Sequence, residues 1–350
     1  MVPLAPLTTL RLGGAAERLV EARSEAELVA AVRERPALIL AGGSNVVIAD
    51  AGVPGTVVHV ATRGIARDDG LVVVQAGEPW DAFVARCVGA GLQGVECLSG
   101  IPGSSGATPI QNVGAYGQDV SETIAWVRVH DRARDATLTL TAAECGFEYR
   151  RSIFKHDDRR VVLAVAFRLR EQPLSGPLRY AELARALGVP VGGAAPLADV
   201  RAAVLALRAR KGMVVDAGDP DSVSAGSFFT NPILGAEAFA ALCELAGERP
   251  PAFPEPDGRI KTSAAWLIER SGFARGHIEG RVGISAKHAL ALVNRGGATT
   301  AELMALASRI AAAVRERFAV ELAPEPVLVG HDWNGRRPGG PVALDSGVRR

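Results

Sequence analysis

Cysteine is scarce in this sequence, and it shows no metal-binding arrangement. The four cysteines, Cys87, Cys97, Cys145 and Cys243, form no C-x-x-C pair, so neither a zinc site nor a disulfide framework is indicated. We expect reduced thiols that fill space in the core, and we expect no metal site.

Lysine is also scarce, because only four of the 39 basic residues are lysines. In a chain so biased towards arginine, a lysine can indicate a position that needs a compact, mobile ammonium. The alternative is a solvated surface position at which lysine has no particular role. Both interpretations stay open for each of the four, which are Lys155, Lys211, Lys261 and Lys287.

Long apolar runs and a strong net charge are both absent. No run approaches the roughly 20 residues that a membrane helix needs. A net charge of +1 gives no general attraction to nucleic acid or to acidic membranes. The first six residues lack the charged and apolar segments of a secretion signal. We therefore expect a cytoplasmic protein that binds small molecules, with no nucleic-acid and no membrane partner. We also expect a monomer, although neither charge nor hydropathy bears on the oligomeric state.

Glycine, by contrast, is abundant, and residues 100–117 concentrate it. These eighteen residues hold five glycines, two prolines and no charged side chain, so they cannot form an ordinary helix. Glycines at this density let the backbone approach a ligand closely, and successive N–H groups can hold an anion such as phosphate. A plain surface turn is the competing interpretation, and it would be favoured if the segment stood alone.

A second small-residue turn, Gly42-Gly43-Ser44-Asn45, follows an apolar run at residues 37–41. That run has the length and composition of a buried strand. Two phosphate-binding loops at strand ends suggest a dinucleotide ligand.

Alternating strand and helix patterns predict an α+β fold with more than one domain. A chain of 350 residues, 48% of them hydrophobic, has material for two or three domains. The breaker cluster at residues 172–177 is the best boundary. The predicted division is 1–60 and 61–172 for two subdomains of one ligand-binding body, 178–322 for a smaller α/β domain, 323–335 for a return segment and 336–350 for a disordered tail.

Local patterns also predict individual elements. A capping box at residues 24–27 opens a helix that runs to about residue 33, and residues 124–130, 137–141 and 161–170 favour strands. Helical periodicity beyond the boundary predicts helices at about 180–187, 197–210, 236–246, 263–271 and 299–317.

Three polar clusters lie in otherwise apolar or glycine-rich surroundings, and each has a plain structural alternative. Arg150, in residues 149–152, fits an exposed strand edge as well as a binding site. Ser227, in residues 224–232, lies outside a G-x-S-x-G elbow, which makes an acyl-transfer nucleophile a poor interpretation and a turn or cap serine a good one. Glu325 is fixed between two prolines, a pattern that plain loops also show.

Taken together, the motifs resemble those of one family, the UDP-N-acetylenolpyruvoylglucosamine reductases (MurB), over nearly the whole chain up to about residue 330. Each motif alone is unspecific, whereas the combination is highly specific. The segments that carry the resemblance are residues 8–14, 42–45, 100–117, 149–152, 225–232 and 324–325.

The resemblance implies a fold and two cofactors. The fold is a two-subdomain FAD-binding fold of the vanillyl-alcohol-oxidase (PCMH) type, with a smaller α/β domain that closes over the substrate. FAD is the implied cofactor, and NADPH is the implied hydride donor. The implied FAD-binding residues are Gly42, Gly43, Ser44, Asn45, Ile101, Pro102, Gly103, Ser104, Gly106, Asn112, Gly114, Ala115 and Tyr116.

The resemblance also implies roles in the reduction of an enolpyruvyl ether of a UDP-sugar, a step of peptidoglycan precursor synthesis. Arg150 would hold the substrate carboxylate in bidentate geometry. Glu325 would polarise the same group, which requires it to be protonated or tightly paired. Ser227 would donate the proton to carbon. The implied substrate-binding residues are Tyr180, Lys211 and Asn231, and Tyr180 matches the substrate-covering tyrosine of the family's first structural type.

Two other functions would keep the flavin fold. An oxidase of alcohols or amines would share the glycine loops, but its substrate has no diphosphate or carboxylate for Lys211, Ser227 and Glu325 to hold. A catalytically silent flavin-binding protein predicts a broken catalytic set, whereas the arginine, the serine and the glutamate are all present.

Overall fold

The structure is a computed structural model, and it describes residues 1–333. The tail predicted at residues 336–350 lies outside the described residues. Within them the chain forms three sheet-containing bodies, and the cleft described below lies where they meet.

The first body is a four-stranded sheet in which two of the three strand pairings are parallel. Parallel strands need a crossover connection, and the predicted helix supplies it. Ser24 accepts the backbone N–H of Glu27 at 3.2 Å, which fixes the start of that helix. The elements are β1 (Val2–Pro3), β2 (Ala15–Ala22), α1 (Glu25–Arg33), β3 (Leu38–Leu40), β4 (Val46–Ile48) and β5 (Val53–Val60), and the sheet order is β1-β2-β5-β3.

The second body is a five-stranded antiparallel sheet in the order β12-β11-β13-β7-β6. Seven of the eight residues of β13 are buried, which explains its unbroken apolar sequence. The elements are β6 (Ile65–Asp68), β7 (Leu71–Gln75), α2 (Trp80–Gly89), β8 (Leu92–Gln93), β9 (Gly114–Ala115), β10 (Gln118–Asp119), β11 (Ile124–Asp131), β12 (Ala136–Thr141), β13 (Arg160–Phe167) and β14 (Arg170–Glu171).

Two helices follow this sheet, α3 (Ala181–Ala186) and α4 (Leu197–Arg210), and α4 has the bounds that its periodicity predicts. Their buried face packs with Cys97 of the second body in a small core of its own. The third domain predicted to begin at residue 178 stays a prediction, and this packing argues for a start after α4.

The third body contains a four-stranded sheet in the order β15-β21-β20-β19 and a three-stranded sheet in the order β16-β18-β17. The long helix α7 packs on the first of these with its buried apolar stripe. The elements are β15 (Ser224–Ser227), β16 (Ile233–Leu234), α5 (Ala236–Ala246), β17 (Ala252–Pro254), β18 (Ile260–Thr262), α6 (Ala264–Arg270), β19 (Ile278–Glu279), β20 (Val282–Ile284), β21 (Ala291–Asn294), α7 (Thr300–Phe318) and β22 (Val327–Val329).

The third body is fastened to the first by polar and backbone contacts. The carboxylate of Asp50 accepts the N–H groups of Thr300 and Ala301 at 2.7 and 2.8 Å, so a residue of the first body caps α7. Strand β22 pairs in parallel with β4, which brings the chain back to the first body after it has built the third.

Asp81 ties the second body to α4 and to the glycine-rich segment at once. Its two carboxylate oxygens accept both terminal nitrogens of Arg201 at 2.6 and 2.8 Å, and one of them also accepts the Gly100 N–H at 2.6 Å. Burial favours a higher pKa for Asp81, but these donors outweigh it and hold the pKa below its ordinary value. The start of the glycine-rich segment is therefore fixed by a charged pair.

The two glycine turns identified in the sequence touch each other through their backbones. A Cβ built on Gly42 would lie 2.5 Å from the Cα of Gly103, so only glycine allows this approach. Ser44 adds a side-chain bond across the contact, donating its hydroxyl to the Pro102 carbonyl at 3.1 Å.

Replacing Gly42 by alanine should lower the free energy of unfolding by about 1–3 kcal/mol, because the new methyl meets backbone that no rotamer change can move. Urea unfolding followed by circular dichroism measures this. Gly89→Ala is the matched control, since a Cβ at this last residue of α2 meets no atom within 4 Å. Alanine there should raise the free energy of unfolding by up to about 1 kcal/mol, and equal stability of the two variants would contradict the prediction.

Candidate active site

The three bodies surround a long cleft. One part has a volume of about 610 Å³ and is lined by residues of all three bodies, and an adjoining part has a volume of about 730 Å³. Ala41, Gly42, Val215 and Ser222 line both parts, so the two are continuous. A volume of this size suits a large organic ligand.

The two glycine turns form one wall of the cleft, which we call the cradle (residues 42–45 and 101–104). Among residues 1–333, no protein acceptor receives the backbone N–H groups of residues 42–45, 101, 103 and 104. Seven unpaired N–H groups on two touching turns are a ready site for an anion. The cradle therefore fits the diphosphate of a dinucleotide such as FAD.

Arg208 adds a positive charge to this cleft, and the sequence analysis did not single it out. One terminal nitrogen donates to the Met213 carbonyl at 2.8 Å, while its Nε is buried and has no hydrogen-bond partner in the described chain. Burial lowers the pKa of this guanidinium. Arg208 is one of the residues that line the cleft, so its guanidinium adds a positive charge to the cleft wall, which favours a bound anion.

Several residues expected to bind FAD contribute structure instead of lining the cleft. Gly106 packs on the backbone of Ala76. Both polar atoms of the Asn112 side chain are used, because Nδ2 donates to the Glu148 carbonyl at 3.1 Å and Oδ1 accepts the Ser121 N–H at 3.2 Å. The cofactor contacts expected of these two residues and of all the other predicted FAD-binding residues stay predictions.

Arg150 enters the cleft from a strained turn. Its φ of 53° lies in the left-handed region that side chains avoid, and such strain is found mainly where a surrounding structure enforces it. The guanidinium donates to the carbonyls of Asn112 and Gly114 at 3.3 and 2.6 Å. Gly114 itself has no room for a Cβ, which would collide with the Asp119 carboxylate. The arginine is thus aimed by backbone acceptors.

Glu325 reaches the same cleft from the return segment. Its backbone N–H donates to the Phe228 carbonyl at 2.8 Å, and its own carbonyl accepts the Asn45 side chain at 3.5 Å. Burial raises the pKa of the Glu325 carboxyl, and the nearby charges of Arg150 and Lys155 oppose this without cancelling it. A carboxyl in this setting keeps its proton to higher pH than a solvated glutamic acid.

Lys155 completes this charged group. Its ammonium donates to the Arg150 carbonyl at 3.0 Å, so it fixes the backbone of the strained turn. Burial lowers the pKa of Lys155, and the Glu325 carboxyl partly restores it. The scarcity of lysine draws attention to Lys155, but no sequence pattern predicts that its ammonium bonds to the Arg150 carbonyl.

Ser227 lines the cleft at the end of β15, and its hydroxyl has a partner that the sequence analysis missed. The distance between Ser227 Oγ and His288 Nε2 is 3.1 Å. Burial, followed by the charges of Lys211 and Arg275, lowers the pKa of His288 to about 4, so the imidazole is neutral at physiological pH. A histidine alone in a turn between two strands gives no sequence signal that links it to Ser227.

The three residues expected to bind substrate lie in different settings. Asn231 lines the cleft, and its side-chain oxygen accepts the Ala264 N–H at 3.0 Å, which leaves its NH₂ group available. Lys211 lies outside the cleft lining and is paired with Glu182 at 2.9 Å. The exposed ring of Tyr180 stands edge-on to that of Tyr116, with centroids 5.3 Å apart.

Two structural observations bear on other kinds of site. Within the described residues, no group of three or more His, Cys, Asp or Glu side chains is placed to hold a metal ion. No helix in that part of the chain combines the length and the apolar composition that crossing a membrane requires.

The arrangement suits one kind of chemistry. A fixed guanidinium, a carboxyl with a raised pKa and a serine hydroxyl face one space beside an anion-binding cradle. Such a set can hold a carboxylate, absorb charge that develops on it and move a proton.

Comparison with known proteins agrees with this geometry. Residues 16–140 match the family model of an FAD binding domain, and residues 219–329 match that of the UDP-N-acetylenolpyruvoylglucosamine reductase C-terminal domain. The α+β fold class with an FAD-binding domain and a further smaller domain is thereby confirmed.

Curated relatives cover almost the whole chain. The UDP-N-acetylenolpyruvoylglucosamine reductase of Thermobifida fusca is 58% identical over 345 residues, 94% of this chain and 97% of the relative. That of Salinispora arenicola is 58% identical over 341 residues, covering 93% and 94%. The crystal structure of UDP-N-acetylenolpyruvylglucosamine reductase (MurB) from Thermus caldophilus superimposes with a TM-score of 0.65 at 26% identity, covering 94% and 97%. This chain therefore belongs to the UDP-N-acetylenolpyruvoylglucosamine reductase (MurB) family.

Proposed function

We propose that this chain uses FAD and NADPH to reduce UDP-N-acetylenolpyruvoylglucosamine to UDP-N-acetylmuramate, a step of peptidoglycan precursor synthesis. The observation that carries the proposal is the convergence of Arg150, Ser227 and Glu325, from three distant segments, on one cleft beside an anion-binding cradle. A cytoplasmic, monomeric enzyme that serves cell-wall biogenesis, cell shape and cell division is part of the same proposal.

The cradle is the proposed holder of the cofactor. Its unpaired N–H groups at residues 42–45 and 101–104 would bind the diphosphate, and Arg208 would add charge to the same region. Bound FAD would carry a hydride from NADPH to the methylene carbon of the substrate. All other steps are assigned to side chains of this chain.

Arg150 would bind the carboxylate of the enolpyruvyl group. Its guanidinium is already oriented by two backbone carbonyls, so little side-chain entropy is lost when the carboxylate arrives. A bidentate contact fixes the plane of the carboxylate and hence the face of the double bond that is presented.

Glu325 would donate a hydrogen bond to the same carboxylate. Its raised pKa favours the protonated form that this role needs, since an ionised glutamate would repel the substrate. As the methylene carbon gains a hydride, negative charge develops on the neighbouring carbon and its carboxylate, and the two donors stabilise it.

Ser227 would complete the reduction by giving its hydroxyl proton to that neighbouring carbon. A serine hydroxyl is a weak acid, but the carbanion is strongly basic, so the transfer is favourable if the hydroxyl is well aimed. The rest of the UDP-sugar would be bound by Tyr180, Lys211 and Asn231. For this, the ion pair between Lys211 and Glu182 would have to break.

The test of the proposed function is the visible spectrum of the purified protein under anaerobic conditions. The protein should be yellow, NADPH should bleach it, and UDP-N-acetylenolpyruvoylglucosamine should restore the colour. Bleaching without recovery would agree with the proposed flavin-binding fold, but it would contradict the assignment of UDP-N-acetylenolpyruvoylglucosamine as the electron acceptor. Turnover of a simple alcohol with oxygen and without NADPH would indicate an oxidase instead, and a protein that NADPH cannot bleach would indicate a silent flavin-binding protein.

Ser227→Ala should spare FAD binding and bleaching by NADPH but slow recovery of the colour by about 10²–10⁴-fold, the usual contribution of a general acid. Stopped-flow absorbance at the flavin band measures both half-reactions separately. Equal slowing of bleaching and recovery would contradict the assignment of Ser227 as the proton donor, because that role affects only the recovery step.

The raised pKa of Glu325 predicts a pH dependence. As the pH rises through this pKa the carboxyl loses its proton, so the rate of colour recovery should fall on the alkaline side. Glu325→Gln keeps a neutral donor that cannot titrate, and the alkaline decline should disappear.

Lys155→Arg is the control for this pH profile. Lys155 also faces Glu325 and has a lowered pKa, whereas arginine stays charged throughout the accessible range. The alkaline fall in the rate of colour recovery should persist in Lys155→Arg. If this fall also persists in Glu325→Gln, the titrating group is not Glu325.

A further inference from the structure

His288 lies beside the proposed proton donor and has no part in the roles assigned so far. Its Nε2 is 3.1 Å from Ser227 Oγ, and both side chains line the cleft. In the described chain, this is the only protein hydrogen bond of either side chain. Each of the two side chains therefore depends on the other for its hydrogen bond within the protein.

The backbone around both residues is tightly fixed. Ser227 of β15 is paired with Ala291 of β21, and the next N–H, that of Phe228, donates to the Leu290 carbonyl at 2.7 Å. The His288 carbonyl accepts the Ala291 N–H at 3.1 Å, which closes the turn before β21. The same pair of strands thus sets the positions of both side chains.

The direction of the hydrogen bond depends on which nitrogen of the imidazole carries the proton. In the described part of the chain no protein group accepts a hydrogen from Nδ1, so this nitrogen is left to solvent or to a ligand in the cleft. The proton of a neutral histidine is placed by the hydrogen bonds that its two nitrogens make. The low pKa of His288 agrees with a single ring proton. The 3.1 Å contact suits the tautomer in which Nε2 carries the hydrogen and Ser227 Oγ accepts it.

We infer that His288 is a positioning residue for proton transfer, and that its Nε2–H bond to Ser227 Oγ directs the serine hydroxyl hydrogen into the cleft. A hydroxyl has one hydrogen to donate and lone pairs to accept with. Once Oγ accepts from His288, its own hydrogen is left for the substrate. This inference rests on the proposed function, because it gives Ser227 the role of proton donor.

The bond also acts during the transfer itself. The Ser227 O–H bond breaks as the C–H bond forms, and its electron pair stays on Oγ. The Nε2–H group then faces a developing alkoxide, and a hydrogen bond to a charged acceptor is stronger than one to a neutral oxygen. A solvent water returns the proton to Oγ afterwards, so His288 ends in the state in which it began.

His288→Ala should slow recovery of the flavin colour by substrate about 10²-fold, the typical loss when one donor to a developing oxyanion is removed. Bleaching by NADPH should change by less than about twofold. His288→Gln can present an N–H to Oγ and should recover most of the rate. His277→Ala is the matched control, because His277 bonds to Glu279 on another hairpin and should leave both half-reactions unchanged.

A double-mutant cycle separates positioning from a structural role. If His288 acts through the serine hydroxyl, His288→Ala should add little to the loss already caused by Ser227→Ala. Full additivity of the two losses would overturn the inference, as would equal slowing of bleaching and recovery in His288→Ala.

A spectroscopic measurement tests the same bond without turnover. In ¹⁵N NMR spectra of the protein labelled at histidine, His288 should show a protonated Nε2 and an unprotonated Nδ1, and the Nε2 signal should shift in Ser227→Ala. The opposite tautomer would overturn the inference even if the enzyme is active. If the wild-type protein does not recover its colour with substrate, the proposed function fails, and the spectrum still decides the direction of this hydrogen bond.

Discussion

The close backbone contact between Gly42 and Gly103 is the constraint on which the rest of the site depends. Two turns from different sheets approach so closely that neither can carry a side chain at the contact point. The backbone N–H groups of residues 42–45, 101, 103 and 104 on these turns have no protein acceptor in the described chain. Unpaired N–H groups held on two packed turns favour an anion, so the cradle is organised for its ligand in advance.

The charged side chains of the cleft follow a second constraint, which is that each is held by backbone before it meets a ligand. Arg150 is oriented by two carbonyls, Lys155 by the Arg150 carbonyl, and Glu325 by the backbone bonds of its own peptide units. The positive charges of Arg150 and Lys155 lower the pKa of the Glu325 carboxyl by less than burial raises it, so the pKa stays above its ordinary value. Fixed dipoles and charges of this kind need no rearrangement when charge develops in the reaction.

Local signals predicted the regular elements well, and they predicted the site only in part. The helices α4 and α5 have the bounds that their periodicity predicts, because spacing within one helix decides which face is buried. The partnership of Ser227 with His288 depends on how β15 is paired with β21, and the pairing of Lys211 with Glu182 depends on how α3 lies beside α4. Such contacts join residues far apart in sequence, so no window of the chain contains them.

The parallel pairing of β22 with β4 has a consequence for synthesis of the protein. Glu325 lies two residues before β22, and the strand with which β22 pairs, β4, is made near the beginning of the chain. A nascent chain can therefore fold its first two sheets on the ribosome while the charged end of the cleft still lacks its carboxyl. Bringing together two strands so far apart in sequence costs loop-closure entropy, which slows such a pairing relative to local contacts. The Glu325 carboxyl thus joins the cleft only after the glycine turns and the end of β15, which line the same cleft, have been synthesised.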